Sequence, residues 1–216
     1  MRPKIQLALD CDNTEQAIKA CQGGVVDEVD IIETGYCLIA SEGARVVKLF
    51  REMYPNKPLV ADFKIVDAGK KISGMLLEGK PDYTTILCAC EKGTITGVRD
   101  EVKARGLNTK LQMELYGHWS FDDIPMWIEN GISQLTLQHS CDLPGTWTPE
   151  EIAVLKKLTE YDVDVCAAGA IGYDELDLFK GIPVSCFIFG RAIRGAADPA
   201  AEARRIKEKI ISIWGE

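Results

Sequence analysis

Charged residues stand where buried β-strands are expected to end, and the clearest case is Asp62 with Lys64. Both belong to the segment 61–67, Ala-Asp-Phe-Lys-Ile-Val-Asp, which directly follows the apolar run Pro58-Leu59-Val60. Side chains two residues apart on a strand share a face, so this carboxylate and this ammonium group are predicted to point the same way. Buried Asp and Lys are costly unless their charges pair, bind a metal or meet a substrate. A structural ion pair that caps the strand is the plainer alternative for such a motif in isolation.

Further polar side chains follow the other apolar runs of the chain. Together with the first pair they are Asp10, Glu33, Asp62, Lys64, Glu114, Gln138 and His139. Carboxylates that converge from several strand ends indicate a functional site more strongly than a single one does. Glu33 and Asp62 fall on neighbouring strands, which lie about 5 Å apart and so suit two ligands of one ion. Oxygen ligands without a cysteine or histidine cluster favour a hard cation such as Mg²⁺.

A second signal lies near the end of the chain, where Gly169-Ala170 and Gly190-Arg191 follow the last two predicted strands. Backbone N–H groups in such loops can bind a phosphate, and Arg191 would add a charge-assisted contact. A glycine that simply ends a strand is the alternative. A phosphate site beside a metal and a lysine predicts a small phosphosugar substrate. The metal would stabilise an enediolate, while Lys64 balances negative charge or delivers a proton.

These residues need a scaffold that brings strand ends together, and the hydrophobic pattern predicts one. Strands are predicted at 5–9, 29–32, 58–67, 83–90, 111–115, 134–139, 163–168 and 186–189, and helical segments alternate with them, among them 42–54, 94–105, 148–161 and 199–213. Such alternation indicates a parallel sheet of the α/β class, and eight units indicate a closed (β/α)8 TIM barrel. We expect a single domain over residues 1–216, with the active face at the carboxyl ends of the strands.

Composition argues against several functions. The net charge is −8 and no Lys- or Arg-rich run occurs, which argues against nucleic acid as a partner. No apolar run approaches the roughly 20 residues that span a bilayer, and the first residues lack the apolar segment of a signal peptide. The eight cysteines are scattered without a Cys-x-x-Cys pair, and only two histidines occur. We therefore expect reduced thiols in a cytoplasmic protein, without a histidine-rich metal site.

Four segments carry a resemblance to a known family. They are Leu7-Ala8-Leu9-Asp10, the stretch 29–35 around Glu33, the Asp-x-Lys-x-x-Asp motif in 61–69, and 189–194 around Gly190-Arg191. With them the chain resembles the orotidine 5'-monophosphate decarboxylase suprafamily, and most of all its 3-keto-L-gulonate 6-phosphate decarboxylase branch. The resemblance covers essentially the whole chain. It implies loss of CO₂ from 3-keto-L-gulonate 6-phosphate, giving L-xylulose 5-phosphate in ascorbate catabolism.

The resemblance also implies roles for particular residues. Mg²⁺ is expected at Glu33 and Asp62, a substrate hydroxyl at Asp10, the phosphate at Gly190 and Arg191, and polar groups around the enediolate at Lys64, Asp67 and Glu114. A homodimer with shared active sites is expected, in which Asp67 reaches the site of the partner.

The sixth strand departs from the family pattern. Relatives carry His-Arg-x-Arg where this chain has Gln138-His139-Ser140-Cys141. Gln138 takes the position of the catalytic histidine, and His139 comes one residue later. A shift by one residue turns a side chain to the opposite face, so His139 could act only if a bulge re-aims it. Packing outward against a helix is the alternative, and His118, where relatives have Tyr, is another candidate proton donor. The loop 142–147 is also shortened, and Gly169-Ala170 replaces a Gly-Gly.

Three hypotheses follow from these residues. The first is a decarboxylase with an altered proton relay, which the segment 114–119 favours. The second is a 3-hexulose-6-phosphate synthase, which joins formaldehyde to ribulose 5-phosphate through a similar enediolate. The third is a phosphosugar-binding protein without turnover. The retained charges at Glu33, Asp62, Lys64, Asp67 and Glu114 argue against the third, because a protein that only binds its ligand need not keep them.

Overall fold

Eight parallel strands close into a barrel in the computed structural model, which describes residues 2–216. The strands are β1 (Lys4–Leu9), β2 (Ile31–Thr34), β3 (Leu59–Ile65), β4 (Tyr83–Leu87), β5 (Lys110–Leu115), β6 (Ile132–Gln138), β7 (Asp164–Ala168) and β8 (Cys186–Phe189). Each strand pairs with the next in chain order, and β8 pairs with β1. The predicted (β/α)8 barrel is confirmed.

The strands alternate between two apolar environments. Small and branched side chains form a layer inside the barrel: Ala8, Ile31, Val60, Cys166, Ala168, Cys186 and Ile188. Their chain neighbours belong to the larger cluster between strands and helices, which includes Leu7, Ile32 and Leu59. Because side chains on a strand alternate, the residues two positions beyond the inner layer also point inward. Glu33 and Asp62 hold such positions on β2 and β3.

Helices surround the barrel. They are α1 (Thr14–Ala20), α2 (Val25–Glu28), α3 (Tyr36–Glu42), α4 (Arg45–Met53), α5 (Gly69–Leu76), α6 (Lys92–Ala104), α7 (Ile124–Glu129), α8 (Pro149–Leu158), α9 (Arg191–Arg194) and α10 (Pro199–Trp214), with 3₁₀ turns at Leu77–Gly79, Phe121–Asp123 and Asp174–Phe179. The predicted start of α8 is confirmed, because Thr148 and Glu151 form a reciprocal capping box there. Among residues 2–216, no helix combines the length and the apolar character needed to cross a membrane.

Several predicted boundaries differ from the structure. The helix predicted over 42–54 is present as α4 but begins at Arg45, and the sequence missed α3 before it, which ends at Gly43 with a φ of 75°. The fourth strand ends at Leu87 rather than at residue 90, because Cys90 N–H bonds back to the Leu87 carbonyl in a turn. The second strand begins at Ile31 instead of Val29. The sixth ends at Gln138, one residue before His139, and this boundary affects the site.

Candidate active site

The contact between Lys64 and Asp62 lies at the carboxyl end of β3. Lys64 Nζ is 2.5 Å from Asp62 Oδ2, which confirms that the two side chains point the same way. The β3–β4 register shifts between Ala61 and Ile65, and Lys64 takes a φ of 51°, in the left-handed region that residues with a Cβ rarely adopt. Thr85 stabilises this bend, since its Oγ1 accepts from the Lys64 N–H at 2.8 Å and donates to Asp62 Oδ1 at 2.7 Å.

Glu33 is buried on the neighbouring strand, where the Gln6 amide donates a hydrogen bond to its Oε2. The register pairs Glu33 with Val60, so Asp62 lies one inward position further toward the mouth of the barrel. The sequence suggested that the two carboxylates lie side by side on neighbouring strands. In the structure they are diagonal neighbours instead. Burial raises the pKa of Glu33 well above its usual value, and the negative charges of Asp62 and Asp10 raise it further.

Glu114 on β5 is the third buried carboxylate of the site, beside Glu33 and Asp62, and is 4% exposed. Burial raises its pKa to about 7, the charge of Asp62 adds to the rise, and Lys64 acts against it. For Lys64, burial lowers the pKa, but the carboxylates of Asp62, Glu114 and Glu33 outweigh burial and raise it overall. Lys64 thus remains an ammonium ion within a surplus of carboxylates. We call Asp10, Glu33, Asp62 and Glu114 the carboxylate cluster.

A cation fits the part of this cluster formed by Glu33 and Asp62. Their oxygens are hard donors, and a divalent ion would offset the negative charges of Asp62 and Asp10, which add to the effect of burial in raising the pKa of Glu33. Within residues 2–216, no three His, Cys, Asp or Glu side chains come together as a complete metal site. Mg²⁺ usually takes one or two carboxylates and completes its shell with water and substrate oxygens, so Glu33 and Asp62 are the residues that would hold it.

The predicted phosphate loops follow the neighbouring strands β7 and β8. Gly169 and Ala170 both adopt left-handed φ values, 77° and 46°. A Cβ at position 169 would collide with the His139 carbonyl oxygen, so this turn requires glycine. Trp147 Nε1 donates to the Gly169 carbonyl at 2.8 Å, and Thr146 Oγ1 donates to the Ala170 carbonyl at 3.0 Å. The loop after β6 therefore orients the peptide groups of this turn.

Gly190 and Arg191 begin α9 directly after β8, and the Arg191 side chain is exposed. Asp10 follows β1 and packs over Gly35, where an added Cβ would come within 2.5 Å of Asp10 Oδ1. Asp67 behaves differently, because it is exposed after β3 and makes no hydrogen bond or ion pair to another residue in the range 2–216. The structure brings Asp10, Glu33, Asp62, Lys64 and Glu114 together but leaves Asp67 outside.

His139 requires a correction. The β6–β7 pairing is regular up to Gln138, so no bulge re-aims the next residue. Gln138 keeps the inward position two residues after Thr136, and His139 turns to the outer side. There its ring is 3% exposed, and Nδ1 lies 3.0 Å from the carboxylate of Glu151 on α8. The prediction that His139 belongs to the catalytic residues is therefore replaced by a structural contact between β6 and α8.

Several supporting residues were missed from the sequence alone. Gln6, Thr85, Gln112 and Thr136 are buried polar side chains inside apolar strands. Gln112 donates to Thr136 Oγ1 and lies 3.4 Å from Glu114 Oε1. Their signal in the sequence was a polar residue within an apolar strand, and Gln6 and Gln112 also lie on the same strand face as Asp10 and Glu114. Near the mouth, Tyr116 Oη and Ser140 Oγ form a further hydrogen bond of 2.6 Å.

The geometry defines a TIM-barrel enzyme whose strand ends bury carboxylates around one lysine. Residues 3–206 match the orotidine 5'-phosphate decarboxylase / HUMPS family, and the chain belongs to this family.

Relatives with names agree with that assignment. The chain is 37% identical over 216 residues to the 3-keto-L-gulonate-6-phosphate decarboxylase UlaD of Salmonella typhi, with 99% of each chain covered. A ligand-bound crystal structure of KGPDC from Streptococcus mutans superposes with a TM-score of 0.94 at 35% identity, covering 99% of each chain. The 3-hexulose-6-phosphate synthase of Salmonella typhimurium superposes with a TM-score of 0.81 at 28% identity, covering 97% of this chain and 99% of that one. The predicted enzyme class, a carbon–carbon lyase of the carboxy-lyase type, is confirmed.

The His139–Glu151 contact predicts an effect on stability. We expect His139→Phe to lower the free energy of unfolding by about 1–2 kcal/mol, because it removes a hydrogen bond to a charged group. Glu151→Gln is expected to cost less, and the double variant less than the sum of the two. Denaturant unfolding measures all three changes. Additive losses, or unchanged stability in His139→Phe, would contradict the structural role.

The raised pKa of Glu114 predicts a pH dependence of stability. Between the ordinary glutamate pKa of about 4.3 and the folded value of about 7, the folded chain holds a proton that the unfolded chain has released. This contribution is present at low pH and is lost as the pH rises through about 7. In chelator, the parent should lose roughly 1–3 kcal/mol more unfolding free energy than Glu114→Gln between about pH 5 and about pH 8. Parallel pH profiles from denaturant titrations would disprove the shift.

Proposed function

We propose that this protein is a Mg²⁺-dependent phosphosugar lyase that decarboxylates 3-keto-L-gulonate 6-phosphate to L-xylulose 5-phosphate through an enediolate. The observation that supports this most is the ion pair of half-buried Lys64 with buried Asp62, beside Glu33 and Glu114. It occurs in a chain that is 37% identical over its length to relatives named for this decarboxylation. The name of these relatives fits a place in ascorbate catabolism, and we propose that the protein acts in the cytoplasm.

The residues divide the chemistry between two sides of the barrel mouth. The turns at Gly169-Ala170 and Gly190-Arg191 would bind the phosphate, with Arg191 supplying the charge. Asp10 would accept a hydrogen bond from a substrate hydroxyl. These contacts to the phosphate and the hydroxyl would hold the sugar with its reacting carbons over the carboxylate cluster.

Loss of CO₂ leaves an electron pair on carbon, which spreads onto the neighbouring carbonyl oxygen as an enediolate. Lys64 is a fixed ammonium ion close to the place where this negative charge develops. A Mg²⁺ ion held by Glu33 and Asp62 would supply Lewis-acid stabilisation of adjacent substrate oxygens. Glu114 and Gln138 face the same space from β5 and β6. The reaction then needs a proton at the carbon that lost CO₂.

Asp62 provides the most direct test of this function. Asp62→Asn should lower kcat for CO₂ release from 3-keto-L-gulonate 6-phosphate by at least about 10²–10³-fold, because it removes both a cation ligand and the partner of Lys64. Asp100→Asn is the matched control, since Asp100 pairs with Arg99 at the surface. Activity should require added Mg²⁺ and should be lost in chelator. Full turnover by Asp62→Asn would contradict the proposal.

A synthase reaction is the second candidate, because the 3-hexulose-6-phosphate synthase of Salmonella typhimurium shares this fold at 28% identity. Its aldol step would use the same enediolate stabilisation. If metal-loaded protein releases no CO₂, condensation of ribulose 5-phosphate with formaldehyde becomes the favoured reaction. Thermal stabilisation by phosphosugars without either turnover would indicate a binding protein.

We also propose a homodimer that shares its active sites. Asp67 is exposed, and the apolar side chains of Val66 and Met75 nearby in the chain are each 48% exposed. A partner surface in this region would cover them and would bring Asp67 to the neighbouring site.

Subunit complementation tests the sharing. Asp62→Asn and Asp67→Ala homodimers should each be nearly inactive, while a 1:1 mixture re-equilibrated through the monomer should recover about a quarter of parent activity. The reason is that half of all dimers in the mixture contain one subunit of each variant. Each of these dimers has one intact site out of two. No recovery, despite exchange shown by a mass tag, would mean that Asp67 acts in its own subunit or not at all.

A further inference from the structure

The enediolate must gain a proton, and several obvious donors do not serve. Lys64 is held as an ammonium ion by Asp62, Glu114 and Glu33, which makes it a reluctant acid. The Gln138 amide does not titrate. His139 lies outside the barrel wall against Glu151. The remaining groups at the mouth on the β5–β6 side include two hydroxyls.

Tyr116 and Ser140 carry these hydroxyls. Tyr116 directly follows β5, two residues after Glu114, and Ser140 lies two residues beyond the end of β6 at Gln138. Their oxygens lie 2.6 Å apart and join the ends of β5 and β6 above the buried layer. This side of the mouth lies across the barrel from β2 and β3, which carry Glu33 and Asp62.

Both residues are held in place before any substrate arrives. The Cys88 thiol accepts from the Tyr116 N–H at 3.2 Å and donates to the Tyr116 carbonyl at 3.1 Å. Ser140 Oγ accepts from the Asp142 N–H at 3.2 Å. Tyr116 is half-buried, so part of the residue is accessible to solvent. A fixed O–H group with access to water suits repeated proton delivery.

We propose that the phenol of Tyr116, positioned by Ser140, donates the proton to the enediolate, an inference that rests on the proposed decarboxylase function. The bond to CO₂ breaks and leaves its electron pair on the sugar. The Tyr116 O–H bond then breaks as a new C–H bond forms. The phenolate recovers a proton from solvent through the Ser140 hydroxyl, so each CO₂ released consumes one proton. Phenols are stronger acids than serine hydroxyls, which makes Tyr116 the donor of the pair.

Glu114 and His118 are the competing donors. Glu114 is 4% exposed, lies deeper on β5, and belongs to the charges around Lys64. His118 is exposed in the loop after β5. Neither residue takes part in the hydrogen bond between Tyr116 and Ser140, which joins the ends of β5 and β6.

Steady-state kinetics of CO₂ release separate these possibilities. Tyr116→Phe should lower kcat by about 10²–10⁴-fold with KM within about twofold, because it removes only the O–H group. Ser140→Ala should lower kcat by about tenfold in the parent but should have no further effect in Tyr116→Phe, since Ser140 acts through Tyr116. His118→Gln is the matched control and should retain kcat.

A second measurement keeps the test independent of folding. Replacement of Tyr116 with 3-fluorotyrosine, a stronger acid of nearly the same shape, should move the alkaline limb of kcat to lower pH. An unmoved limb, unchanged kcat in Tyr116→Phe, or loss of kcat in His118→Gln instead would overturn the inference while leaving the decarboxylase function intact. If the parent itself releases no CO₂, the proposed function and the inference both fail.

Discussion

The attraction between the Lys64 ammonium ion and the carboxylate cluster is the interaction on which the rest of the site depends. Burial makes a charged carboxylate costly here and raises the pKa values of Glu33 and Glu114, and the negative charge of Asp62 adds to that cost. The contact between Lys64 and Asp62 offsets part of it. Amide and hydroxyl donors on neighbouring strands offset more, and their positions explain why polar side chains interrupt otherwise apolar strands. We propose that a divalent cation offsets the remaining negative charge.

The barrel supplies the precision that this arrangement needs. Eight parallel strands bring polar groups from distant parts of the chain to one rim, while the alternation of side chains keeps the outer face apolar for the helices. The bend in β3 is the local exception, and Thr85 compensates for it by bonding to both the backbone of Lys64 and the carboxylate of Asp62. On the far side, Trp147 and Thr146 fix the turn after β7, where we propose that the phosphate binds.

Much of this could be predicted from the sequence, and the misses have physical reasons. Strand number and the facing of Asp62 and Lys64 followed from periodicity, which depends only on local geometry. The diagonal offset of Glu33 and Asp62 did not, because register is set by pairing between strands. For His139 the sequence indicated the outward face but left a bulge open, and only the regular pairing of β6 with β7 shows that the side chain faces a helix. The hydrogen bond between Tyr116 and Ser140 joins two loops that no local pattern connects.

The central claim is that Glu33 and Asp62, buried beside Lys64, take up a divalent cation in place of protons. Calorimetric titration of Mg²⁺ near neutral pH, in buffers of different ionisation enthalpy, tests it most directly. We expect binding that releases protons from the parent, because the pKa values of Glu33 and Glu114 are raised before the ion binds. Glu33→Gln should bind more weakly and release fewer protons. Binding without proton release, or equal binding by Glu33→Gln, would contradict the claim.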